Sequence, residues 1–407
     1  MYCNVILIKF DVAIMIFYVA KMFCNIENVD KHVENCVDNV EKCVYKVKNA
    51  LRKVKSFFFR LGKGSLHFTK MQSIIDDMKK RLPFSVLLLV FALFSCRSEK
   101  TDEAQRSAII GFSQIGSESS WRTCNTASII SSAEREGFQV VFDDAEQKQE
   151  KQIRAIRSFI VYQVDIILLA PIVEEGWDGV LSEAKEAGIP VIVVDRKIKT
   201  RAKNLFEGYI GEDSCSEGKK AAEFLLKKYA DTDEHKNILE IAGTTNSSSA
   251  KGRAKAFRDT LSENAPQKFS VIYSESGDFL RSRGQEIISQ IIAYNGGELK
   301  IGAKKVDVIF SHNDAMTLGI LDALDSYGIK AGKDVAIVSV DGEQNAVNEL
   351  KKGRLNCVVE CNPKTGDALI ELVKKVLSGE KIPEESYVDE DIFTEDDNLS
   401  LLEPRGY

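Results

Sequence analysis

Histidine, tryptophan and proline are scarce in this chain of 407 residues, at four, two and seven, and charge of positive sign is not in excess. Lys and Arg (55) fall short of Asp and Glu (61), for a net charge of −6, so no cationic face is available for nucleic acid or a broadly anionic membrane surface. The nine cysteines, five of them ahead of Arg97, have neither the density of a disulfide scaffold nor a CxxC pair for zinc. Cys357 and Cys361 would lie too far apart in extended chain to bridge, and read as packing residues. Catalytic signatures are missing too: there is no GxSxG, HExxH, GxxxxGK(S/T) or GxGxxG. What is present is a 44% hydrophobic chain, longer than one ordinary domain, with the modest glycine and proline content of a globular α/β protein.

The chain changes character near residue 96. Met78-Lys-Lys-Arg81 is a basic head, Leu82 to Phe94 is apolar apart from Ser85, and Leu93-Phe-Ser-Cys96 follows at once. That order is a secretory signal ending in a lipid-acceptor cysteine, and the apolar run is well short of the ~20 residues a spanning helix needs. The expectation is a signal peptide over 78–96, lipid on Cys96, and a flexible tether over 97–106. A complete signal opening at an internal Met implies that 1–77 is an extension outside the mature protein. Met1 to Phe23 is apolar but interrupted by Lys9, Asp11 and Lys21, and no function is assigned there.

From Ser107 the pattern is regular. Ile109-Ile-Gly-Phe-Ser-Gln114 is an apolar run that empties through a Gly/Ser loop carrying Glu118 into a helix starting near Trp121. This is the first strand-to-helix turn of a doubly wound sheet, and ligands sit beyond the carboxyl ends of such strands. Further strands are expected at 138–142, 164–169, 191–194, 237–241, 269–273, 306–310 and 335–340, alternating with helices such as 148–162, 216–229, 250–262 and 315–327. Repeated strand, helix, strand units call for parallel sheets with right-handed crossovers. They are too many for one compact sheet, so the fold class is α/β, with two doubly wound parallel-sheet lobes. Lobe one is assigned to 107–211 plus 361–382 and lobe two to 212–360 plus 383–407, with three crossings, near Gly211, Cys361 and Pro383, forming a three-strand hinge.

Polar groups gather where strands end: Gln114 after the first, Asp195 and Arg196 after Val191–Val194, Asn313 after Phe310, Asp341 after Val340, and Arg253 after the Thr/Asn/Ser loop. With Glu360 in the hinge and Glu118 in the first loop, these supply carboxylates, guanidinium forks and amides. Each sugar hydroxyl both donates and accepts, which that set can satisfy. Trp121 offers a flat face for the C–H side of a ring, with Arg122 beside it. Asp195 and Asp341 could in principle form a glycosidase pair. Arginines flanking both argue against it, since a general acid must keep a proton.

The ordered segments GFSQIGSESSWRT, VDIILLAP, AGIPVIVVDR, SGDFLRSRG, SHNDAM and SVDG resemble the periplasmic sugar-binding proteins of ABC transporters, in the ribose-binding branch and nearest to galactofuranose binders, from about Ser107 to Tyr407. The resemblance implies a type I periplasmic binding protein fold and a non-enzymatic, cofactor-free, metal-free monomer. Its implied partners are a monosaccharide, ABC permease subunits and, through the lipid, a membrane, at an extracytoplasmic location. It also implies that Trp121 stacks on the sugar under Arg122, and that Asp195, Arg196, Arg253, Asn313 and Asp341 bond its hydroxyls, with Glu360 a polar hinge ligand. A sugar-sensing receptor for a two-component or chemotaxis system would share these features. A lac-repressor-type regulator would need a helix-turn-helix where the signal segment stands.

Overall fold

The computed structural model describes residues 107–407. The extension over 1–77, the signal segment, Cys96 and the tether lie outside the described residues. Among the described residues, no helix is long and apolar enough to cross a membrane.

The first half is built from β1 (Ile109–Gln114), α1 (Ser120–Arg135), β2 (Gln139–Asp144), α2 (Gln149–Tyr162), β3 (Ile166–Leu169), α3 (Asp178–Glu186), β4 (Val191–Val194) and β5 (Gly208–Gly211). β3 and β4 read Ile-Ile-Leu-Leu and Val-Ile-Val-Val and are buried at every position. Such unbroken apolar runs belong to parallel strands covered by helices on both faces. By contrast, β2 is an edge strand and half exposed, its Phe142 resting edge-on against Phe112 of β1.

The second half repeats the plan with α4 (Ser214–Lys228), β6 (Lys236–Ala242), α5 (Ser248–Asn264), β7 (Phe269–Ser276) and α6 (Arg281–Tyr294). A short antiparallel pair follows, β8 (Lys300–Ile301) and β9 (Lys304–Lys305), then β10 (Val308–Ser311), α7 (Asp314–Ser326), β11 (Ala336–Asp341), α8 (Gln344–Lys351) and β12 (Cys357–Glu360). The chain then makes α9 (Gly366–Leu377), β13 (Glu385–Tyr387) and β14 (Ile392–Thr394).

Two six-stranded sheets result, ordered β13-β5-β4-β3-β1-β2 and β14-β12-β11-β10-β6-β7. Every pairing within them is parallel except β12 with β14. The strand order reverses beside β1 in one sheet and beside β6 in the other, and the carboxyl ends of the strands at such points leave a crevice.

α9 returns to the first half, where Leu369, Ile370 and Val373 join the core beneath β1 and α1. Its opening glycine permits this: a Cβ on Gly366 would sit 2.2 Å from the carbonyl oxygen of Ser128 in α1. β13 then pairs with β5, and β14 with β12. The last crossing between sheets therefore runs between Tyr387 and Ile392 rather than near Pro383. Residues 385–387 belong to the first sheet because their backbone completes the hydrogen bonding of β5, which would otherwise be an open edge.

Candidate functional site

The first turn of α1 holds two of the expected residues. Ser119 caps the helix, its hydroxyl accepting the Arg122 amide at 3.1 Å, and Trp121 and Arg122 are both buried. The Arg122 guanidinium donates to Asp195 Oδ2 at 2.6 Å, to Glu118 Oε1 at 3.2 Å and to Gln114 Oε1 at 3.3 Å. Burial alone would lower its pKa, but Asp195 and Glu118 outweigh that and raise it, so Arg122 stays charged. The guanidinium lies 4.7 Å from the centre of the Trp121 ring. The indole N–H donates to the Cys361 carbonyl at 2.6 Å, which ties the side chain to the middle hinge segment.

Arg196 follows β4, where Asp195 turns the backbone through a φ of 63°, a left-handed conformation Asp tolerates. One Arg196 nitrogen donates to the Ile172 carbonyl at 3.1 Å. Its Nε is buried with no hydrogen-bond partner, 3.9 Å from Asp195 Oδ2. Burial, with Arg122 and Arg253 nearby and despite Asp195, lowers its pKa to about 10. Its guanidinium stacks 4.9 Å from the centre of the Phe279 ring, and that of Arg253 sits 5.8 Å from the same ring.

Arg253 comes from α5. It donates to Glu217 of α4 at 2.5 Å and 3.2 Å and to the His312 carbonyl at 2.6 Å, and stands 3.9 Å from Asp341. The reach to Glu217 requires the two helices to touch, and they do so at Gly218, where a Cβ would lie 2.3 Å from the Arg253 carbonyl. Asn313 caps α7 by accepting the Met316 amide at 3.0 Å and donates to the Phe279 carbonyl at 3.3 Å. Asp341 ends β11 at a φ of 126°, a strained conformation for a residue with a Cβ and one that persists mainly at functional positions. Burial pushes its carboxyl well above the ordinary range, with Arg253 opposing and Asp314 and Glu343 adding. The expectation that flanking arginines hold Asp341 ionised therefore fails, because the loss of hydration outweighs one guanidinium at 3.9 Å.

These side chains line one small cavity of about 30 Å³, room for little more than a water molecule, so a sugar could enter only as the two halves part. Glu118, Trp121, Arg122, Asp195, Arg196, Arg253, Asn313 and Asp341 all line it. Gln114 and Glu360 do not. Gln114 stands behind Arg122, bonded also to Asn125 and Thr126 at 3.1 Å each, so it orients the guanidinium. Glu360 is taken by Arg405 and by the Asp391 amide at 2.8 Å, which fastens the carboxyl-terminal tail to the hinge.

Ser119, Ser249, Phe279 and Cys361 line the cavity without having been expected there. Phe279 had a legible signal, an aromatic just beyond the end of β7. Gly243 gives its ring room, since a Cβ there would sit 1.9 Å from it. Glu118 Oε2, like Arg196 Nε, is buried and without a protein partner. A buried polar atom left unpaired costs ~1–3 kcal/mol, so a ligand that bonded either atom would relieve that cost.

Behind the cavity the hinge is acidic. The ligating atoms of Glu217, Cys361 and Glu390 lie within 4.8 Å of one another. Arg253 already engages both oxygens of Glu217, and burial raises the Cys361 thiol well above its ordinary range, so the trio is suited to hold a proton rather than a cation. Burial and the neighbouring Glu217 push Glu390 strongly upward. The described cysteines Cys124, Cys215, Cys357 and Cys361 are unbridged.

A family model described as the periplasmic binding protein domain matches residues 110–381. The galactofuranose-binding protein YtfQ of Escherichia coli (strain K12) is 36% identical over 299 residues, covering 73% of this chain and 90% of that protein. A crystal structure from Mycobacterium smegmatis in complex with β-D-fucofuranose matches with a TM-score of 0.67 at 39% identity, covering 71% of this chain and 92% of that one. The periplasmic binding component of an arabinose ABC transporter from Shewanella sp. ANA-3, bound to α- and β-L-arabinofuranose, matches with a TM-score of 0.66 at 36% identity, over 71% and 92% of the two chains.

Proposed function

The chain belongs to the periplasmic binding protein family, and from that premise we propose that it captures a monosaccharide in its five-membered ring form, galactofuranose or a close relative, and delivers it to an ABC permease. It is a sugar-binding protein of the ABC-transporter type, not an enzyme. One observation carries the ligand reading. Three carboxyl and three guanidinium groups, from Glu118, Asp195, Asp341, Arg122, Arg196 and Arg253, line one small cavity, and Glu118 Oε2 and Arg196 Nε are buried without a hydrogen-bond partner. Hydrogen-bond donors and acceptors are both present around the cavity, which suits the hydroxyls of a polyol, each of which donates and accepts. Each charged hydrogen bond contributes ~1.5–3 kcal/mol net, so four or five reach the ~8 kcal/mol of micromolar binding.

The furanose reading is supported by relatives, matched over most of their own length, that are named for, or crystallised with, furanose sugars. In this reading Trp121, Arg122, Asp195 and Arg196 bind from the first half and Arg253, Asn313 and Asp341 from the second. Bridging the halves gives the closed form its differential affinity, which ligand-driven closure requires. The lipid on Cys96 would hold the receptor near its permease, and Cys96→Ser would release it from membranes.

The test is carbon-13 NMR of labelled D-galactose with the purified protein. Bound resonances should carry the anomeric shifts of the furanose ring, although that ring is the minor form in solution. A bound pyranose would refute the ring assignment, and no binding of D-galactose, D-fucose or L-arabinose would refute the sugar class.

A further inference from the structure

The capping of α1 is divided between the two halves of the molecule. The first N–H groups of any helix lack intrahelical acceptors and carry the positive end of its dipole. In α1, Ser119 satisfies the Arg122 amide, and no acidic residue stands in the helix's own first turn. The acid comes instead from the second sheet. Glu343, just beyond β11, accepts the Trp121 amide at 2.9 Å, with Ser120 close enough to favour its charged form. Glu343 is 2% exposed, and its own amide donates at 2.7 Å to the buried Asp314, so its position is fixed from its own side. Burial raises its pKa while the Trp121 amide and Ser120 pull it down. The Trp121 bond reaches the backbone of the very turn that carries Trp121 and Arg122.

We propose that Glu343 is a positioning residue for ligand binding: from the second half it caps the helix of the first, fastening the Trp121 and Arg122 turn while the halves are closed and releasing it when they part. The inference rests on the reading that the halves close on a ligand at this cavity. Glu343 does not line the cavity, so its effect on affinity passes through closure alone. Contacts formed only in the closed form slow dissociation and leave the encounter with ligand unchanged.

Two measurements on the full protein test this. Native-state amide exchange, made in saturating D-galactose so that the halves are closed, should be roughly tenfold or more faster at Ser120 and Trp121 in Glu343→Ala, with the later amides of α1 unchanged. Glu343→Gln, which keeps an acceptor oxygen, should restore part of the protection. Stopped-flow binding of D-galactose should show an off-rate raised roughly 10- to 100-fold in Glu343→Ala, a smaller rise in Glu343→Gln, and an on-rate close to that of the unaltered protein. Unchanged exchange at Ser120 and Trp121 would overturn the cap, and faster exchange with an unchanged off-rate would overturn its role in binding. Failure of the unaltered protein to bind D-galactose would count against the proposed ligand, and the exchange comparison, made instead with D-fucose or L-arabinose, would still decide the cap.

Discussion

Asp341 shows how a residue's chemistry departs from its letter. A carboxyl buried at a strained strand end, beside Arg253 but also near Asp314 and Glu343, favours its neutral form and can donate one hydrogen bond while accepting another. Asn offers the same pair of roles in the same volume. Asp341→Asn should therefore hold sugar affinity within about threefold, while Asp341→Ala should lose more than ~1.5 kcal/mol, roughly tenfold, by calorimetry. Equal loss in both variants would mean that the ionised carboxylate is what binds. The residue types at the strand ends were readable because Asp195, Arg196, Asn313 and Asp341 each follow an unmistakable apolar strand. The roles of Trp121 and Cys361 were not, because the indole N–H finds its acceptor 240 positions along the chain. Nothing local marks such a pair.

At the scale of elements, the hinge is where polar groups are least comfortable. Glu212, Glu217 and Glu390 come from two of the crossings and the helix that starts after the first, and unpaired oxygens remain on Glu212 and Glu390. Glu390 folds with its pKa raised by burial and then by Glu217. An acid whose folded pKa exceeds its unfolded value adds stability that is complete below the unfolded pKa and is lost as pH rises toward the folded one. Stability should accordingly fall as pH rises from the unfolded carboxylate value near 4.5 toward the folded value of about 11, and Glu390→Gln, which mimics the protonated acid, should flatten that fall in urea titrations. An equally steep fall in the variant would place the titrating group elsewhere. Strand and helix legibility followed the same logic of environment. β3 and β4 announced themselves as unbroken apolar runs, whereas β5, Gly-Tyr-Ile-Gly, looks like a loop because glycine disfavours strands in isolation. β13 spans three residues with two exposed, and only its register against β5 makes it a strand.

For the whole molecule, the doubly wound plan was legible from alternation alone, since parallel sheets need crossover helices and the number of units exceeded one sheet. How the halves meet was not, because it depends on contacts between distant segments. The Glu174 carboxylate of the first half bonds Lys251 at 2.5 Å, and the Lys197 amide donates to Ser248 at 2.8 Å. Together with Glu343 on α1, such contacts define one closed arrangement around the cavity. The central claim is that side chains from both halves bind one sugar. The most direct test is a crystal structure of the protein grown with D-galactose. The account predicts a furanose ring in the cavity, with its hydroxyls within hydrogen-bond distance of Asp195 or Arg196 on one side and of Arg253, Asn313 or Asp341 on the other. A sugar bound outside that cavity, or touching residues of one half only, would contradict it.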